Sequence, residues 1–441
     1  MVSSPDVYRN LRKAVSSTPL VDTHEHLIQE KDRISSKLDL FETILDGYAS
    51  SDLISSGMPP EDLKEVRNPE LTLEDRWELF APFWERMQNT GYALSLKIAF
   101  RDLYGIDELS SETYMKLAKS MVDRNRLGVY SWVLRERAGI EHIILDTSAE
   151  TPIEEVDADL FSPVMRFSNY IMARSRQEIE ALEAGYGRKI HSLNDLVDAL
   201  RAEFHRVHGK IVGVKIWIAY MRSLKFDKAT FGEAEEVFNN IYRQETFERV
   251  TIDGMRVNVP GGLSLSEAKP LQDFMVHKVI QFSGERGLPI QIHTGLQEGN
   301  MNIVTNSNPT LLINLFEEYE EVKFDIFHGS YPYTGELAAL AKNFPNVHID
   351  MCWLHIISPF RARNALSEWL DTVPSNKIFG FGGDYRFIEG VYGHSVLARE
   401  NIFKVLAEKV DEGVFNEERA VKIAERLLRS NAMEFFLKKE G

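Results

Sequence analysis

Apolar residues along the chain fall into two alternating patterns. Short apolar runs occur at 19–27, 140–146, 161–167, 211–219, 288–293, 323–328, 346–351 and 377–384, the pattern of buried strands. Between them the apolar positions recur every three or four residues, which predicts helices at 192–207, 266–286, 309–320, 334–343 and 361–371. The first of these starts at Ser192 with Asp195 three residues on, the spacing of a capping box. A short helix is expected at 6–17 before the first strand, and helices at 398–410 and 416–438 are expected to wrap the outside.

The stretch 28–137 differs in character, with no strong strand run and several amphipathic segments. Pro59-Pro60-Glu61-Asp62 opens one helix, since proline is tolerated in a first turn. Thr72 precedes a helix carrying Trp77, Phe80, Phe83, Trp84 and Met87 on one face, and Ser111-Glu112-Thr113 precedes another with Tyr114, Leu117, Ala118 and Met121. Packing within the helical unit is the expectation for Trp77, Phe83 and Trp84, with lining of a substrate cleft as the alternative.

Eight short strands, each followed by a helix, predict an α/β chain folded as a (β/α)₈ barrel. The reading is one domain over 1–441, with a large helical insertion at 28–137 after the first strand and a C-terminal helical segment at 398–441. A doubly wound open sheet is the competing architecture. The barrel is preferred because His26, His293, His328 and Asp384 all fall at the carboxyl ends of their runs. A barrel gathers those ends on one face, whereas an open sheet spreads them out at about 4.8 Å per strand.

Composition narrows the function class. The chain has 441 residues, is 44% hydrophobic and carries a formal net charge of −16, which argues against nucleic acid and anionic membrane surfaces as partners. Cys352 is the single cysteine, so no intrachain disulfide can form, and its expected role is that of a small buried hydrophobe. No apolar stretch reaches the roughly 18–20 residues of a membrane span, and the N-terminus lacks a secretory pattern. A soluble cytoplasmic enzyme with a small-molecule substrate is expected, and the aromatic-rich insertion could serve as a homo-oligomer interface.

The chemistry begins at Val21-Asp22-Thr23-His24-Glu25-His26. A strand alternates its side chains, so His24 and His26 face one way and offer two imidazoles to a divalent metal. Glu25 faces the other way, where an ion-pair role is expected. Lys215 stands inside an apolar run, so it must be paired or modified. A metal-bridging carbamate, a metal- or substrate-facing ammonium and a buried ion pair are all open for it. Substrate-facing candidates in the loops after the strands are Trp217, Tyr220, Gln297, Asn300, Tyr331, Trp353, His355, Arg386 and His394.

Taken together, Val-Asp-Thr-His24-Glu-His26, Ile-His293-Thr-Gly, Phe-His328-Gly and Gly-Gly-Asp384 resemble the amidohydrolase superfamily of metal-dependent barrel enzymes. The resemblance implies a divalent metal, zinc first, held by His24, His26, His293 and Asp384, as one ion or as two bridged through Lys215. It implies that Asp384 moves the proton of a metal-activated water, while His328 stabilises the oxyanion or binds a second ion. The expected activity is hydrolysis of an amide, lactone or ester of a small acidic substrate. The insertion, the 220–265 loop and Gly-Asp384-Tyr-Arg386-Phe also resemble the uronate isomerases. Isomerisation of a sugar acid, with Arg386 binding the carboxylate, is therefore the alternative. Metal-dependent decarboxylation and a non-catalytic ligand-binding barrel stand behind both.

Overall fold

A computed structural model of the chain describes residues 5–147, 152–243, 247–252 and 255–438. The eight barrel strands are β1 (Leu20–Glu25), β2 (Ile140–Thr147), β3 (Phe161–Arg166), β4 (Gly213–Ile216), β7 (Ile290–Ile292), β8 (Phe324–Ile326), β9 (Val347–Asp350) and β10 (Ile378–Phe379), and they lie side by side in that order. A two-stranded hairpin, β5 (Phe247–Ile252) and β6 (Met255–Pro260), lies outside the barrel. Every barrel pair is parallel, as strand–helix–strand connection requires. Closure comes from the chain just beyond β10. Thr23 donates its N–H to Phe381, Asp384 to His24 and His26 to Tyr385, at 3.2, 2.8 and 3.0 Å. These bonds exclude the open sheet.

The 220–265 stretch is not simply a loop. It holds a helix, Phe231–Arg243, which buries Ala234, Val237, Phe238 and Ile241 at helical spacing. It also holds the hairpin, whose sequence Asp253-Gly254 is a hairpin-turn dipeptide. Residues 244–246 and 253–254 of this stretch lie outside the described residues, as do 1–4 and 439–441.

The barrel interior is layered. At the bottom, Phe435 and Phe436 of the C-terminal segment pack against Val21, Ile144, Val164 and Phe379. Above them is a polar layer, where most such barrels carry branched apolar side chains. There Gln291 donates to the Thr23 carbonyl at 2.9 Å and to Asp325 at 3.1 Å, with Asp350 and Lys215 also buried.

The insertion docks on the barrel through close helix contact. A Cβ on Gly393, in the helix Ile388–Asp411, would come 2.0 Å from the Ser95 carbonyl of the helix Gly91–Tyr104. Glycine is thus required for these backbones to approach. The buried pair Arg33–Glu389, at 2.8 Å, ties the same two units. Trp77 stacks on Tyr114 at 4.7 Å and Phe80 on Trp84 at 5.6 Å, so these aromatics pack within the insertion.

Candidate metal centre and active site

Three donors converge where β1 meets the segment after β10. The Nε2 atoms of His24 and His26 are 3.3 Å apart, and Asp384 Oδ1 lies 3.5 Å from the first and 3.2 Å from the second. Tetrahedral ligands with bonds of about 2.0–2.1 Å stand about 3.3–3.4 Å from one another, so this triangle has the edge lengths of a zinc-type site. The donor chemistry agrees. Burial, with Lys215 and His26 nearby, holds His24 neutral, well below the usual imidazole range. Burial alone would raise the Asp384 carboxyl, yet His26, His24 and His328 hold it well below the carboxylate range. The residues present therefore fit a divalent ion held by two imidazoles and one carboxylate.

Local backbone strain aims these groups. His328, Trp353 and Asp384 have φ of +63°, +62° and +59°, a region that costs a non-glycine residue about 1–3 kcal/mol and is held only by surrounding contacts. All three stand at carboxyl ends of barrel strands, where the chain must turn sharply into its loops.

His293 and His328 are brought to the same face but are engaged with each other. His328 Nε2 lies 2.8 Å from His293 Nδ1, His293 Nε2 lies 2.9 Å from the Leu296 carbonyl and His328 Nδ1 lies 3.1 Å from the Cys352 carbonyl. All four ring nitrogens thus have partners, which keeps His293 out of the converging triangle. Cys352 is buried as expected, but it also belongs to the site. Its thiol groups with His328 and Asp384 within 4.8 Å, and burial pushes it well above the usual thiol range, so it stays protonated.

Lys215 is buried and makes no ion pair among the described residues. Its Nζ sits over the Phe327 ring, 3.3 Å from the centroid, a cation–π contact in place of the expected salt bridge. Burial lowers it to about 8, against the pull of Asp384 and Asp146. Glu25 likewise has no cation partner. Its Oε2 accepts the Tyr385 N–H at 2.7 Å and its carboxyl pairs with Asp22, because the β1–β2 register shifts between Asp22 and Glu25 and breaks the simple alternation.

The loop candidates divide by position. Trp353 is buried at the heart of the site, perpendicular to His328 at 5.0 Å and stacked on Tyr48 at 4.6 Å. Trp217 and Tyr220 line the mouth, with Arg166 over the Trp217 ring at 5.0 Å and Tyr220 against His293 at 4.7 Å. Tyr331 is half-buried, and its backbone carbonyl accepts the Leu296 N–H at 2.7 Å. Arg386 has 56% of its side chain exposed and meets Asp46 at 3.5 Å. The remaining candidates are engaged with protein groups. His355 bonds the Gly380 carbonyl and Asn401 behind the barrel end, and His394 bonds the Gly383 carbonyl from the helix Ile388–Asp411. Gln297 spends its amide N–H groups on the Ala219 and Ile303 carbonyls, and exposed Asn300 bonds the Ser51 carbonyl.

Several site residues escape the sequence reading. Asp146, ending β2, lies 3.7 Å from His24 Nε2 and is gripped by Arg166 of β3 at 2.6 Å. Both close strand runs, so the rule that finds Asp384 also points to them. Tyr48 and Tyr92 come from the insertion: Tyr48, Tyr92 and Trp353 cluster in a triangle of stacked rings, and Tyr48 donates to the Asp384 carbonyl at 2.5 Å. Nothing in their local sequence announces this. Glu298, three-dimensionally a neighbour of Gly47, shares the mouth with Asp384 and Arg386, and burial raises its carboxyl.

Comparison with known proteins shows what the chain is similar to. The amidohydrolase family model matches residues 248–437. The chain is 29% identical over 231 residues to protein fluG of Emericella nidulans, a match covering 50% of this chain and 25% of that protein, so the chain spans about a quarter of that relative's length. It is 23% identical to the uronate isomerase of Sphingopyxis alaskensis over 465 residues, covering 95% of this chain and 93% of that one. The crystal structure of uronate isomerase from Thermotoga maritima superposes with a TM-score of 0.78 at 15% identity, covering 99% of this chain and 98% of that one. That likeness extends the shared fold through the helical insertion.

Proposed function

We propose that the chain is a member of the amidohydrolase superfamily, similar along nearly its whole length to uronate isomerases, and that it isomerises a small sugar acid between aldose and ketose forms. The observation that carries this reading is the position of Arg386. It stands two residues beyond Asp384, more than half exposed, and among the described residues is held only by a 3.5 Å contact with Asp46. So loose a pair yields readily to a substrate carboxylate, which a guanidinium can bind through two parallel hydrogen bonds. The carboxylate then lies at the rim while the other end of a short chain reaches the triangle of His24, His26 and Asp384.

His24, His26 and Asp384 would hold the divalent ion, zinc fitting the two-nitrogen, one-oxygen donor set. When bound there, the ion supplies Lewis acidity to neighbouring substrate oxygens. Asp384 removes the proton from the hydroxyl-bearing carbon beside the carbonyl and delivers a proton to the former carbonyl carbon, while the hydroxyl proton passes to the carbonyl oxygen, so no atom is gained or lost. Its side chain is 11% exposed, so the proton it carries exchanges with solvent before delivery. Trp353, Tyr48 and Tyr92 form an aromatic wall that excludes solvent on one side.

Hydrolysis is the second reading, favoured by the amidohydrolase family match over the C-terminal strands. There Asp384 would take the proton of an attacking water instead. Incubating metal-loaded protein with uronates and with acylated or lactonised sugar acids in D₂O separates the two by NMR. Solvent deuterium at one carbon with no new fragment supports isomerisation, and two product species support hydrolysis. Turnover of neither class, in protein shown to hold stoichiometric metal, would overturn both.

A further inference from the structure

Asp384 holds a left-handed backbone conformation, φ +59°, which must be stabilised from outside. The peptide groups on either side of it are tied to two carboxyls of β1. Gly383, before it, donates its N–H to Asp22 Oδ1 at 3.0 Å, and Tyr385, after it, donates to Glu25 Oε2 at 2.7 Å. Asp22 Oδ1 also accepts the N–H of His24 at 3.1 Å. The remaining oxygens, Asp22 Oδ2 and Glu25 Oε1, are buried with no hydrogen-bond partner among the described residues. The fit is tight, since a Cβ on Gly383 would lie 1.7 Å from Glu25 Oε1.

A fully buried glutamate without a cation is costly unless hydrogen bonds satisfy it. We propose that Glu25, the residue between the two histidines of His24-Glu25-His26, is a positioning residue that fixes the Asp384 carboxylate against His24 and His26 by clamping the Tyr385 N–H. The motif then supplies both the imidazoles and the brace for the third donor, from one strand. Glu25 acts through backbone and does not reach the reacting atoms. The inference rests on the reading of His24, His26 and Asp384 as metal ligands.

The test is cobalt(II) binding to the full chain, followed by its visible absorption, for wild type, Glu25→Gln and Glu25→Met. Glutamine has nearly the same shape and keeps an oxygen to accept the Tyr385 N–H. Its cobalt spectrum and affinity should match wild type. Methionine fills the space without an acceptor, and its cobalt affinity should fall about 10–100-fold with an altered spectrum, the scale seen when outer partners of metal ligands are lost. Wild-type affinity and spectrum in Glu25→Met would overturn the proposal, as would loss of binding in a folded Glu25→Gln. Should Glu25→Met not fold, Gly383→Ala, which pushes on the same carboxylate, takes its place, and unchanged cobalt affinity there overturns the proposal. Failure of wild type to bind cobalt would instead overturn the metal-site reading beneath it.

Discussion

Asp384 and His24 are joined twice: the Asp384 N–H donates to the His24 carbonyl at 2.8 Å, and the Asp384 carboxylate lies 3.5 Å from the His24 ring. One bond closes the barrel and the other contact builds the site. Closure and chemistry therefore depend on the same two residues, at opposite ends of the barrel's sequence.

Removing either His26 or Asp384 takes away one of the converging donors. His26→Ala and Asp384→Asn should each lose bound metal and lower turnover by about two to three orders of magnitude, since the ion is worth several kcal/mol to the reaction. Elemental analysis of chelator-free protein checks the first and steady-state kinetics the second. Full metal occupancy in both variants would contradict the ligand assignment.

Arg386→Met should raise KM for an acidic substrate about 10–100-fold while leaving metal content unchanged. A charge-assisted hydrogen bond is worth about 1.5–3 kcal/mol. Neutral analogues, such as the amide of the same sugar acid, should bind wild type and variant alike. An equal loss for both substrate types would place Arg386 in the scaffold.

Tyr48→Phe keeps the ring contacts with Trp353 and Tyr92 and removes only the bond to the Asp384 carbonyl. Stability should fall by about 0.5–1.5 kcal/mol in denaturant titration, and kcat should fall while KM is retained. Tyr48→Ala opens the aromatic wall as well and should cost several kcal/mol.

The buried acids beneath the site give a pH signature. Burial raises Asp350 to about 7 and Asp325 well above the carboxylate range. In the unfolded chain such groups titrate near about 4. For Asp350 the folded chain holds more protons between these values, so its contribution to stability is complete below about 4 and is lost as pH rises through about 7. Asp350→Asn removes that dependence, so its stability relative to wild type should improve from pH 5 to pH 8 in paired denaturation curves. A constant difference would show that Asp350 does not titrate there.

The docking of the insertion is testable apart from chemistry. Gly393→Ala drives a methyl into the Ser95 carbonyl, 2.0 Å from its ideal position, and should destabilise the chain by about 1–3 kcal/mol. Proteolysis should then cut more readily within 28–137.

Much of this architecture was legible in the chain. The strand runs, the insertion and the placing of His24, His26, His293, His328 and Asp384 on one face follow from periodicity and from polar residues at strand ends. Asp146 and Arg166 obey the same rule and were overlooked because each looked like an ordinary strand terminus. Lys215 and Glu25 were legible as anomalies but not as partners. An apolar run requires a buried charge to be satisfied, yet it does not say whether a carboxylate or the face of Phe327 does so.

The sequence by itself determined the class of fold and placed His24, His26 and Asp384 on one face, because strand alternation and polar residues at strand ends are local signals. Only the tertiary structure decided that these three stand within 3.5 Å of one another while His293 and His328 bond to each other, and that Tyr48 reaches Asp384 across 336 positions. Those relationships depend on barrel closure and on the docking of distant helices, which join residues whose spacing along the chain carries no trace of their separation in space.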